Sequence, residues 1–256
     1  MNINKQLYKG DCLTIMSNLI KEGVKIDGVI TSPPYNICTK RKDVYYNNGY
    51  SDTDNLTEDN YINIRVSEFK KMSELLKDKG VICYNLSYHN ENPMLPFKLI
   101  TEMNTKTDLT VADVIIWKKP HSIPFQTSPT KLSRICEMIF VIVKKEHLHN
   151  FKTNKEISTI NKKTNQKFYK NYTNFIEAPN NDRVKTSHKA TYSTELCDKL
   201  INIYFEEGSL ILDPFGGIGT TMKSCIKNNL KNITIELNEE FYKHILNEQK
   251  ISDINP

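Results

Sequence analysis

Short apolar segments recur along the chain and alternate with longer polar stretches. Each segment is too short for a buried helix, is rich in Val and Ile, and is mostly apolar on both of its faces. That combination is typical of the buried strands of a largely parallel sheet. The predicted strands are residues 27–31, 80–86, 112–117, 138–143, 209–213 and 231–237, with a weaker one near 6–10.

Helical patterns fill several of the stretches between these strands. The predicted helices are residues 57–79, 193–206, 219–229 and 238–249, and Gly80 is the predicted stop of the first. The alternation predicts an α/β fold with a doubly wound, mostly parallel sheet and helices on both faces. A chain of 256 residues is long enough for one large domain of this kind or for two small ones.

Two long polar segments interrupt the pattern. Residues 36–56 are rich in Asn and aromatic side chains, and residues 145–187 are rich in Lys. Loops of this length in a compact domain are usually functional or disordered. The lysine-rich segment has two interpretations: a solvated insert, or a surface that faces phosphate groups. Its local charge matters more than the net charge of the chain, which is only +5.

Several classes of protein are disfavoured. No apolar run approaches the roughly 20 residues that span a bilayer, and the first residues do not form a secretory signal. We therefore expect a cytoplasmic protein, encoded by the cell itself or by a virus that infects it. The six cysteines form no CxxC pair, and no His stands at the spacing of a zinc site. We expect reduced, mostly buried thiols and no metal site.

Residues 211–221, ILDPFGGIGTT, lie between a predicted strand and a predicted helix. Glycines let the backbone turn tightly and approach a ligand closely, and the helix offers free amides at its N-terminus. Neither a Walker lysine nor a clean G-x-G-x-x-G is present, which disfavours a phosphate ligand. Asp213, Thr220 and Thr221 suit a ligand with ammonium and carboxylate groups. Glu236 stands where such folds hold ribose hydroxyls. An ordinary strand–helix turn is the alternative.

Residues 30–36, ITSPPYN, end one apolar run and begin a polar loop. Two consecutive prolines fix φ and give such a turn a defined shape. Taken alone, the stretch has two interpretations. It is either a turn that only terminates a strand, or a rigid turn that holds reactive groups in place.

Together the two motifs resemble those of the S-adenosylmethionine-dependent DNA amino-methyltransferases. The cofactor loop of that family reads DPFxGxGTT and is matched by Asp213–Thr221, except that Gly217-Ile218 stands where the family usually has a variable residue and Ser. The catalytic motif, D/N/S-P-P-Y/F, is matched by Ser32–Tyr35. The catalytic motif comes first, as in the β class of the family, whereas related protein and RNA methyltransferases carry N-P-P-Y after the cofactor loop.

Weaker resemblances, in the order of the family, extend over nearly the whole chain. KGD at residues 9–11 resembles a segment whose acid contacts the adenine amino group of the cofactor. Residues 128–145 resemble a strand in which an Arg and a Glu precede an apolar run that ends in lysine. Residues 187–193 resemble the segment before the helix that packs on the methionine tail.

The resemblance implies one circularly permuted methyltransferase domain over residues 1–256, with a seven-stranded Rossmann-like sheet, that binds S-adenosyl-L-methionine and double-stranded DNA. The implied catalytic residues are Ser32, Pro33, Pro34 and Tyr35. The implied cofactor-binding residues are Asp11, Cys12, His188, Asp213, Phe215, Gly216, Gly217, Gly219, Thr220, Thr221 and Glu236. The DNA-binding candidates are Lys40, Arg41, Lys42, Lys162, Lys163, Lys167 and Arg183. For His188, an ordinary loop histidine is the alternative.

The chemistry of such a reaction explains the motif. An exocyclic amine is a poor nucleophile because its lone pair is delocalised, and two acceptors aimed at its hydrogens favour a more tetrahedral nitrogen. The Ser32 hydroxyl and the Pro33 carbonyl are the candidate acceptors. The base must leave the duplex, and Tyr35 offers a face for stacking. Serine at position 32 favours cytosine N4 as the methylated atom, as the resemblance implies, and adenine N6 remains an alternative. Methylation at cytosine C5 is excluded because the chain has no Pro-Cys dipeptide.

The remaining expectations concern DNA and partners. Residues 36–56 are a candidate mobile loop over the flipped base, in which Asn36 is a candidate base contact. Residues 145–187 are a candidate target-recognition insert. A homodimer and a cognate restriction endonuclease are open. Trp117 is expected in the core. Two alternatives to this enzyme are a non-catalytic DNA-binding relative and an RNA or protein methyltransferase, which the motif order disfavours.

Overall fold

The computed structural model describes residues 5–36, 56–88, 92–120, 129–130, 132–182 and 192–249. Ten strands are formed by these residues: β1 (Lys5–Lys9), β2 (Ile26–Thr31), β3 (Leu76–Leu86), β4 (Leu109–Lys118), β5 (Cys136–Lys144), β6 (Ile157–Ile160), β7 (Lys167–Tyr169), β8 (Phe175–Glu177), β9 (Leu210–Asp213) and β10 (Lys231–Glu236). The α-helices of the same residues are α1 (Cys12–Lys21), α2 (Glu58–Leu75), α3 (Leu95–Lys106), α4 (Thr194–Tyr204), α5 (Thr220–Lys227) and α6 (Glu239–Gln249).

Eight strands form one sheet in the order β1-β10-β9-β2-β3-β5-β4-β8. The strands from β1 to β3 run parallel to one another, β5 runs antiparallel to β3 and β4, and β8 runs parallel to β4. The mixed α/β architecture with a mostly parallel sheet is therefore confirmed. Its eighth strand, β8, comes from the lysine-rich insert.

The direction of winding reverses between β9 and β2. From β9 the chain passes through α5 to β10 on one side, whereas from β2 it passes through α2 to β3 on the other. In open α/β sheets, ligands bind beyond the carboxyl ends of the strands at such a reversal. Both sequence motifs follow these two strands, so the fold brings them together at this point.

Helices cover both faces of the sheet. The helices α1, α2 and α3 pack on one face through residues such as Met16, Phe69 and Leu99, each of which is buried. The helices α4, α5 and α6 cover the other face. Trp117 is 1% exposed, and its indole nitrogen donates to the Ala178 carbonyl at 2.8 Å. The expectation that Trp117 lies in the core is confirmed.

The first predicted helix is wrong at its C-terminal end. The sequence predicts a helix over residues 57–79, but α2 ends at Leu75 and β3 begins with the next residue. Gly80 is not a helix stop but lies inside β3, where an added Cβ would come within 3.0 Å of the Asp27 carbonyl on the neighbouring strand. The Leu76 side chain would lie still nearer, at 2.5 Å, so a larger residue has no room at this position.

Two helices were not predicted from the sequence. The helix α1 has only ten residues, and it is held at its start by Asp11, whose side chain accepts from the Thr14 amide at 2.9 Å. The helix α3 has no side-chain cap and begins with Pro96 in its first turn. In the described part of the chain, every helix is too short or too polar to cross a bilayer.

The lysine-rich segment forms structure of its own. After a short 3-10 helix at Lys145–Asn150, strands β6 and β7 make an antiparallel hairpin that is separate from the main sheet. Every residue of these two strands is exposed. The chain then returns to the main sheet as β8. The hairpin is therefore an addition to the α/β domain rather than part of its core.

Candidate functional site

The candidate site lies along the carboxyl edge of the sheet, where the two motifs are joined by a side-chain contact. Thr31 ends β2 and Asp213 ends β9, and the Thr31 hydroxyl donates to Asp213 Oδ1 at 2.7 Å. Both side chains are 1% exposed. The residues stand 182 positions apart in the chain, so this contact exists only because the sheet places their strands side by side.

The glycine-rich turn has a shape that larger residues would prevent. Gly217 and Gly219 adopt φ values of 53° and 81°, which favour glycine. An added Cβ on Gly216 would lie 2.4 Å from the Thr234 methyl carbon, and the Gly216 amide donates to the Ile235 carbonyl at 2.8 Å. The turn therefore lies directly against β10 and leads into α5, which begins at Thr220.

Asp213 stabilises the glycine-rich turn through several hydrogen bonds. Its carboxylate accepts from the Phe215 amide at 3.1 Å and from the Tyr192 hydroxyl at 3.3 Å, in addition to Thr31. Tyr192 and Thr221 share a further hydrogen bond of 2.5 Å between their hydroxyls. Burial raises the pKa of Asp213, and these donors oppose the rise. With so many partners inside the protein, Asp213 holds the turn in shape.

Glu236 ends β10 beside the turn. Its carboxylate accepts from the Gly217 amide at 2.6 Å and from the Asn238 amide at 2.7 Å. The residue is 8% exposed, and burial raises the pKa of its carboxyl to about 7. A buried carboxylate at this position is suited to accept hydrogen bonds from a pair of hydroxyls.

Asp11 and Cys12 lie next to Glu236 because β1 pairs with β10. The Gly10 amide donates to the Glu236 carbonyl at 3.0 Å. Asp11 is exposed and caps α1, while the Cys12 thiol is buried and donates to Glu68 Oε1 at 3.6 Å. Burial raises the pKa of the Cys12 thiol, so it stays protonated. The neighbouring residue Asp11 places an exposed carboxyl group at this end of β1.

Phe215 connects the cofactor turn to α2. The Arg65 guanidinium lies 5.0 Å from the centre of the Phe215 ring, and its Nη2 is 3.0 Å from Glu68 Oε1. Arg65 and Glu68 are both 1% exposed. A buried arginine remains charged and favours the ionised form of Glu68, whereas burial acts more strongly and raises the pKa of Glu68 to about 7. The pair fixes α2 against the turn.

These residues fit S-adenosylmethionine. The molecule needs hydroxyl acceptors for its ribose, a polar corner for its adenine, and a backbone that comes close to its amino-acid tail. Glu236 is suited to the first and Asp11 to the second, while the turn at Gly216 has no room for a side chain on its β10 side. The Asp213 carboxylate also accepts hydrogen bonds from protein donors, and its contact with the cofactor stays a prediction.

The SPPY turn carries a second cluster on the other side of the Thr31–Asp213 contact. The hydroxyls of Ser32 and Tyr35 lie 2.6 Å apart, and the Tyr35 hydroxyl donates to Glu137 Oε2 at 3.0 Å. The Asn85 amide donates to the Tyr35 hydroxyl at 2.6 Å and to Glu137 Oε2 at 2.7 Å. Lys119 forms an ion pair with Glu137 from the opposite side. Burial and Glu137 raise the pKa of Tyr35.

The ends of the turn are also held. The Tyr61 hydroxyl of α2 donates to the Pro34 carbonyl at 2.8 Å, and Pro33 is buried. The Asn36 amide group donates to the Leu56 carbonyl at 2.9 Å and accepts from the Leu56 amide at 2.8 Å. Asn36 thereby joins the two ends of the 36–56 segment, and its contact with the base stays a prediction.

Some predicted residues cannot be placed. Lys40, Arg41, Lys42, Arg183 and His188 lie outside the described residues. The other three DNA-binding candidates lie on the hairpin: Lys162 and Lys163 in its turn and Lys167 at the start of β7. All three are exposed.

Sequence reasoning missed Asn85, Glu137, Lys119 and Tyr192. Glu137 and Tyr192 lie within segments that resemble the family, but nothing in those segments indicated a contact with Tyr35 or Asp213. Asn85 and Lys119 have no local signal, since their roles depend on strands far away in the chain.

Two other expectations concern cysteines and metals. The five cysteines of the described part of the chain are unpaired, and four of them are buried, as expected. At the protein surface, ligand atoms of Asp78, Glu146 and His147 lie within 4.8 Å of one another, a cluster that the sequence did not indicate. Exposed acidic groups often cluster without an ion, so the geometry alone assigns no metal.

Comparison with known proteins agrees with this arrangement. Residues 26–248 match the DNA methylase family of the N6/N4 type. The chain is 22% identical to the type II methyltransferase M.Cfr9I of Citrobacter freundii, over 97% of this chain and 89% of that one. It is 23% identical to the type II methyltransferase M2.MboI of Moraxella bovis, over 99% and 89% of the two chains.

Solved structures show the same fold. The cytosine-N4-specific PvuII DNA methyltransferase superimposes with a TM-score of 0.71 at 19% identity, over 99% of this chain and 88% of that one. The M1.HpyAVI–SAM complex superimposes with a TM-score of 0.64 at 21% identity, over 96% and 100%. Since the family match covers most of the chain, this protein belongs to the N6/N4 DNA methylases and is an S-adenosylmethionine-dependent DNA amino-methyltransferase.

Proposed function

We propose that Ser32, Pro33 and Tyr35 hold the exocyclic amine of a flipped-out base beside the methyl donor, which lies on the turn at Gly216–Gly219. The observation that carries this proposal is the 2.7 Å hydrogen bond between Thr31 and Asp213. It joins the residue before the SPPY turn to the residue before the glycine turn. Two ligands bound at these turns would be immediate neighbours.

The chemistry follows from the groups at the turn. S-adenosylmethionine, when bound, supplies a methyl group on a positively charged sulfur. The Ser32 hydroxyl and the Pro33 carbonyl accept hydrogen bonds from the amine, which frees the nitrogen lone pair to attack. The Tyr35 ring, which is half-buried, provides a stacking face of about 1–3 kcal/mol. Ser32 is a poor base, so the methylated amine releases its proton to water.

The target base that we propose is cytosine, methylated at N4. Serine at the first motif position supports this choice, and the solved PvuII enzyme is described as cytosine-N4-specific. Sequencing that reports modified bases, applied to DNA from cells that express the protein, identifies both the base and its sequence context. Methyladenine in that DNA would reject cytosine while retaining the enzyme class.

DNA contacts extend beyond the turn. The β6–β7 hairpin projects exposed lysines together with Phe168 and Tyr169, which are 47% and 54% exposed. Lysines bind phosphate, and aromatic side chains contact bases. We assign target recognition to residues 145–187, with Arg183 as a further contact, and closure over the base to residues 36–56, with Lys40, Arg41 and Lys42 on the phosphates. His188 is a further proposed contact of the cofactor.

The biological setting belongs to the same proposal. The relatives are type II methyltransferases, which supports action inside the cell within a restriction-modification system and a cognate endonuclease as partner. A homodimer is the proposed assembly. Light scattering of the purified protein tests the dimer. Protection of host DNA against an endonuclease encoded beside this protein tests the partnership.

One assay tests the reaction. The protein is incubated with methyl-labelled S-adenosylmethionine and with duplex DNA, RNA or total protein. Label in DNA is the expected result, whereas label only in RNA or protein, or no label at all, would reject the proposal. Replacing Tyr35 with Ala should reduce transfer at least about 100-fold, since it removes both the stacking face and the partner of Ser32. Cofactor affinity should stay within about twofold, because the described hydrogen bonds of the Tyr35 hydroxyl go to Ser32, Glu137 and Asn85 and not to the glycine turn.

A further inference from the structure

We infer that Glu137, held by Lys119, is a positioning residue that sets the direction of the hydrogen bonds through Tyr35, so that Ser32 offers lone pairs to the amine of the base. This inference rests on the proposed function of Ser32. It concerns which group of each pair donates, and it assigns a role to three side chains outside the SPPY motif: Asn85, Lys119 and Glu137.

The cluster begins with a carboxylate that has a fixed charge partner. The Glu137 side chain is 10% exposed, and the Lys119 side chain that pairs with it is 20% exposed. Lys119 also lies 4.8 Å from the centre of the Trp117 ring, which holds it in place. An ionised carboxylate beside an ammonium group only accepts hydrogen bonds. Every hydroxyl or amide that contacts Glu137 must therefore donate to it.

The Tyr35 hydroxyl consequently has one available arrangement. Its single proton points to Glu137 Oε2 at 3.0 Å, and its oxygen accepts from the Asn85 amide at 2.6 Å. Asn85 is oriented by the same carboxylate, since its amide nitrogen donates to Glu137 Oε2 at 2.7 Å. Because the Tyr35 proton is committed, the 2.6 Å contact between the two hydroxyls requires Ser32 to donate to Tyr35.

The direction matters for the reaction at the base. With its proton turned to Tyr35, Ser32 presents only lone pairs and accepts an N–H of the amine. With the opposite direction, Ser32 would donate a proton to the nitrogen lone pair that must form the new carbon–nitrogen bond. A serine can adopt either direction, whereas the aspartate found in other motifs of the family can only accept. Glu137 gives Ser32 the hydrogen-bonding character of that carboxylate.

The test replaces Glu137 with Gln, which keeps the size of the side chain but adds an amide that can donate to Tyr35. We expect kcat for methyl transfer to duplex DNA to fall about 10- to 100-fold, the effect of one misdirected hydrogen bond. KM for DNA and Kd for the cofactor should stay within about twofold. The matched control is Glu102→Gln, because Glu102 pairs with Lys106 on the surface of α3 and makes no described contact with the cluster.

A second variant tests whether the loss of activity comes from the direction of the hydrogen bonds rather than from a general disturbance of the site. Tyr35→Phe keeps the ring but removes the hydroxyl that links Glu137 to Ser32. Only the long contact of 3.5 Å between the Asn85 amide and Ser32 then remains, so adding Glu137→Gln should cause little further loss. Two results would overturn the inference but not the proposed function. One is an additive loss in the double variant, and the other is a kcat of Glu137→Gln equal to that of the unmodified protein. Failure of the unmodified protein to label DNA would overturn the proposed function, and the inference with it. A Tm within about 3 °C for all variants confirms that each is folded.

Discussion

Single side chains at the carboxyl edge combine burial with a specific partner, and Glu236 is the clearest case. Its carboxyl is held by two backbone amides, yet burial still raises its pKa to about 7. Protonation of Glu236 therefore stabilises the protein without cofactor. This contribution to the free energy of unfolding is fully present below pH 4.5, the unperturbed pKa, and it is lost as the pH rises through about 7.

Cofactor binding should show the opposite dependence on pH. Ribose hydroxyls donate to the ionised form of Glu236, so cofactor binding lowers the pKa of this carboxyl. Below about pH 7 the Glu236 carboxyl is mostly protonated and must lose its proton when the cofactor binds. We expect the Kd of S-adenosylmethionine to rise as the pH falls below about 7, approaching tenfold per pH unit. Isothermal titration calorimetry between pH 5.5 and about 8.5 measures this dependence.

Glu236→Gln provides the control, because the amide does not titrate. Its cofactor affinity should be weaker at pH 8 and nearly constant over the same range. A constant Kd in the unmodified protein would show that Glu236 does not bind the ribose in its ionised form.

Elements differ in how far their sequence determines them. The strand β9 and the glycine turn were predicted closely, because glycines and a strand-ending aspartate leave few alternatives for local conformation. The boundary between α2 and β3 was predicted wrongly, because Lys77 and its neighbours become a strand only through pairing with β2. Tertiary contacts outweighed the helical pattern of the local sequence at that boundary.

The candidate site divides in the same way. Ser32 and Tyr35 were identified because the turn that carries them is a contiguous motif, and Glu236 because its spacing from the glycine turn is typical of such folds. Glu137 and Asn85 meet Tyr35 from β5 and β3, and these contacts span 102 and 50 positions of the chain. No local pattern encodes a contact of that kind, so their role could be found only in three dimensions.

The β6–β7 hairpin allows a test at the level of an element. Replacing Lys162, Lys163 and Lys167 with Gln removes three exposed charges, and the affinity for duplex DNA should fall for every sequence. The slope of log K against log salt should decrease in magnitude by about 0.9 for each phosphate that is no longer neutralised. Fluorescence anisotropy at several salt concentrations measures both quantities.

Lys21, Lys79 and Lys231 provide a control of equal charge. They are exposed at the amino edge of the sheet, opposite the candidate site. Their replacement with Gln should leave the salt slope unchanged. Equal reductions of affinity in the two triple variants would show that the hairpin contributes only net charge.

At the scale of the whole molecule, the two halves of the site are joined through a buried contact. Thr31→Val keeps the shape of the side chain but leaves Asp213 without its shortest hydrogen bond. The free energy of unfolding should fall by about 1–3 kcal/mol, and the Kd of the cofactor should rise because the turn is less well held. Chemical denaturation and calorimetry measure the two effects.

Thr31→Ser retains the hydroxyl and should recover most of the stability, apart from the loss of one buried methyl group. If Thr31→Val were as stable as the unmodified protein, the hydrogen bond would not be what joins the two halves. A loss of stability shared equally by both variants would instead indicate packing as the cause.

The positions of the two motifs along the chain also limit when the complete site can form during synthesis. The SPPY turn is synthesised early, whereas Asp213 lies 182 positions further along the chain than Thr31. The strand β1 cannot pair until β10, its neighbour in the sheet, has also been made. Pairings at such separations are slow to form. The site for the methyl donor can therefore form only after nearly the whole chain has been made, although the SPPY turn is among the first segments to be synthesised.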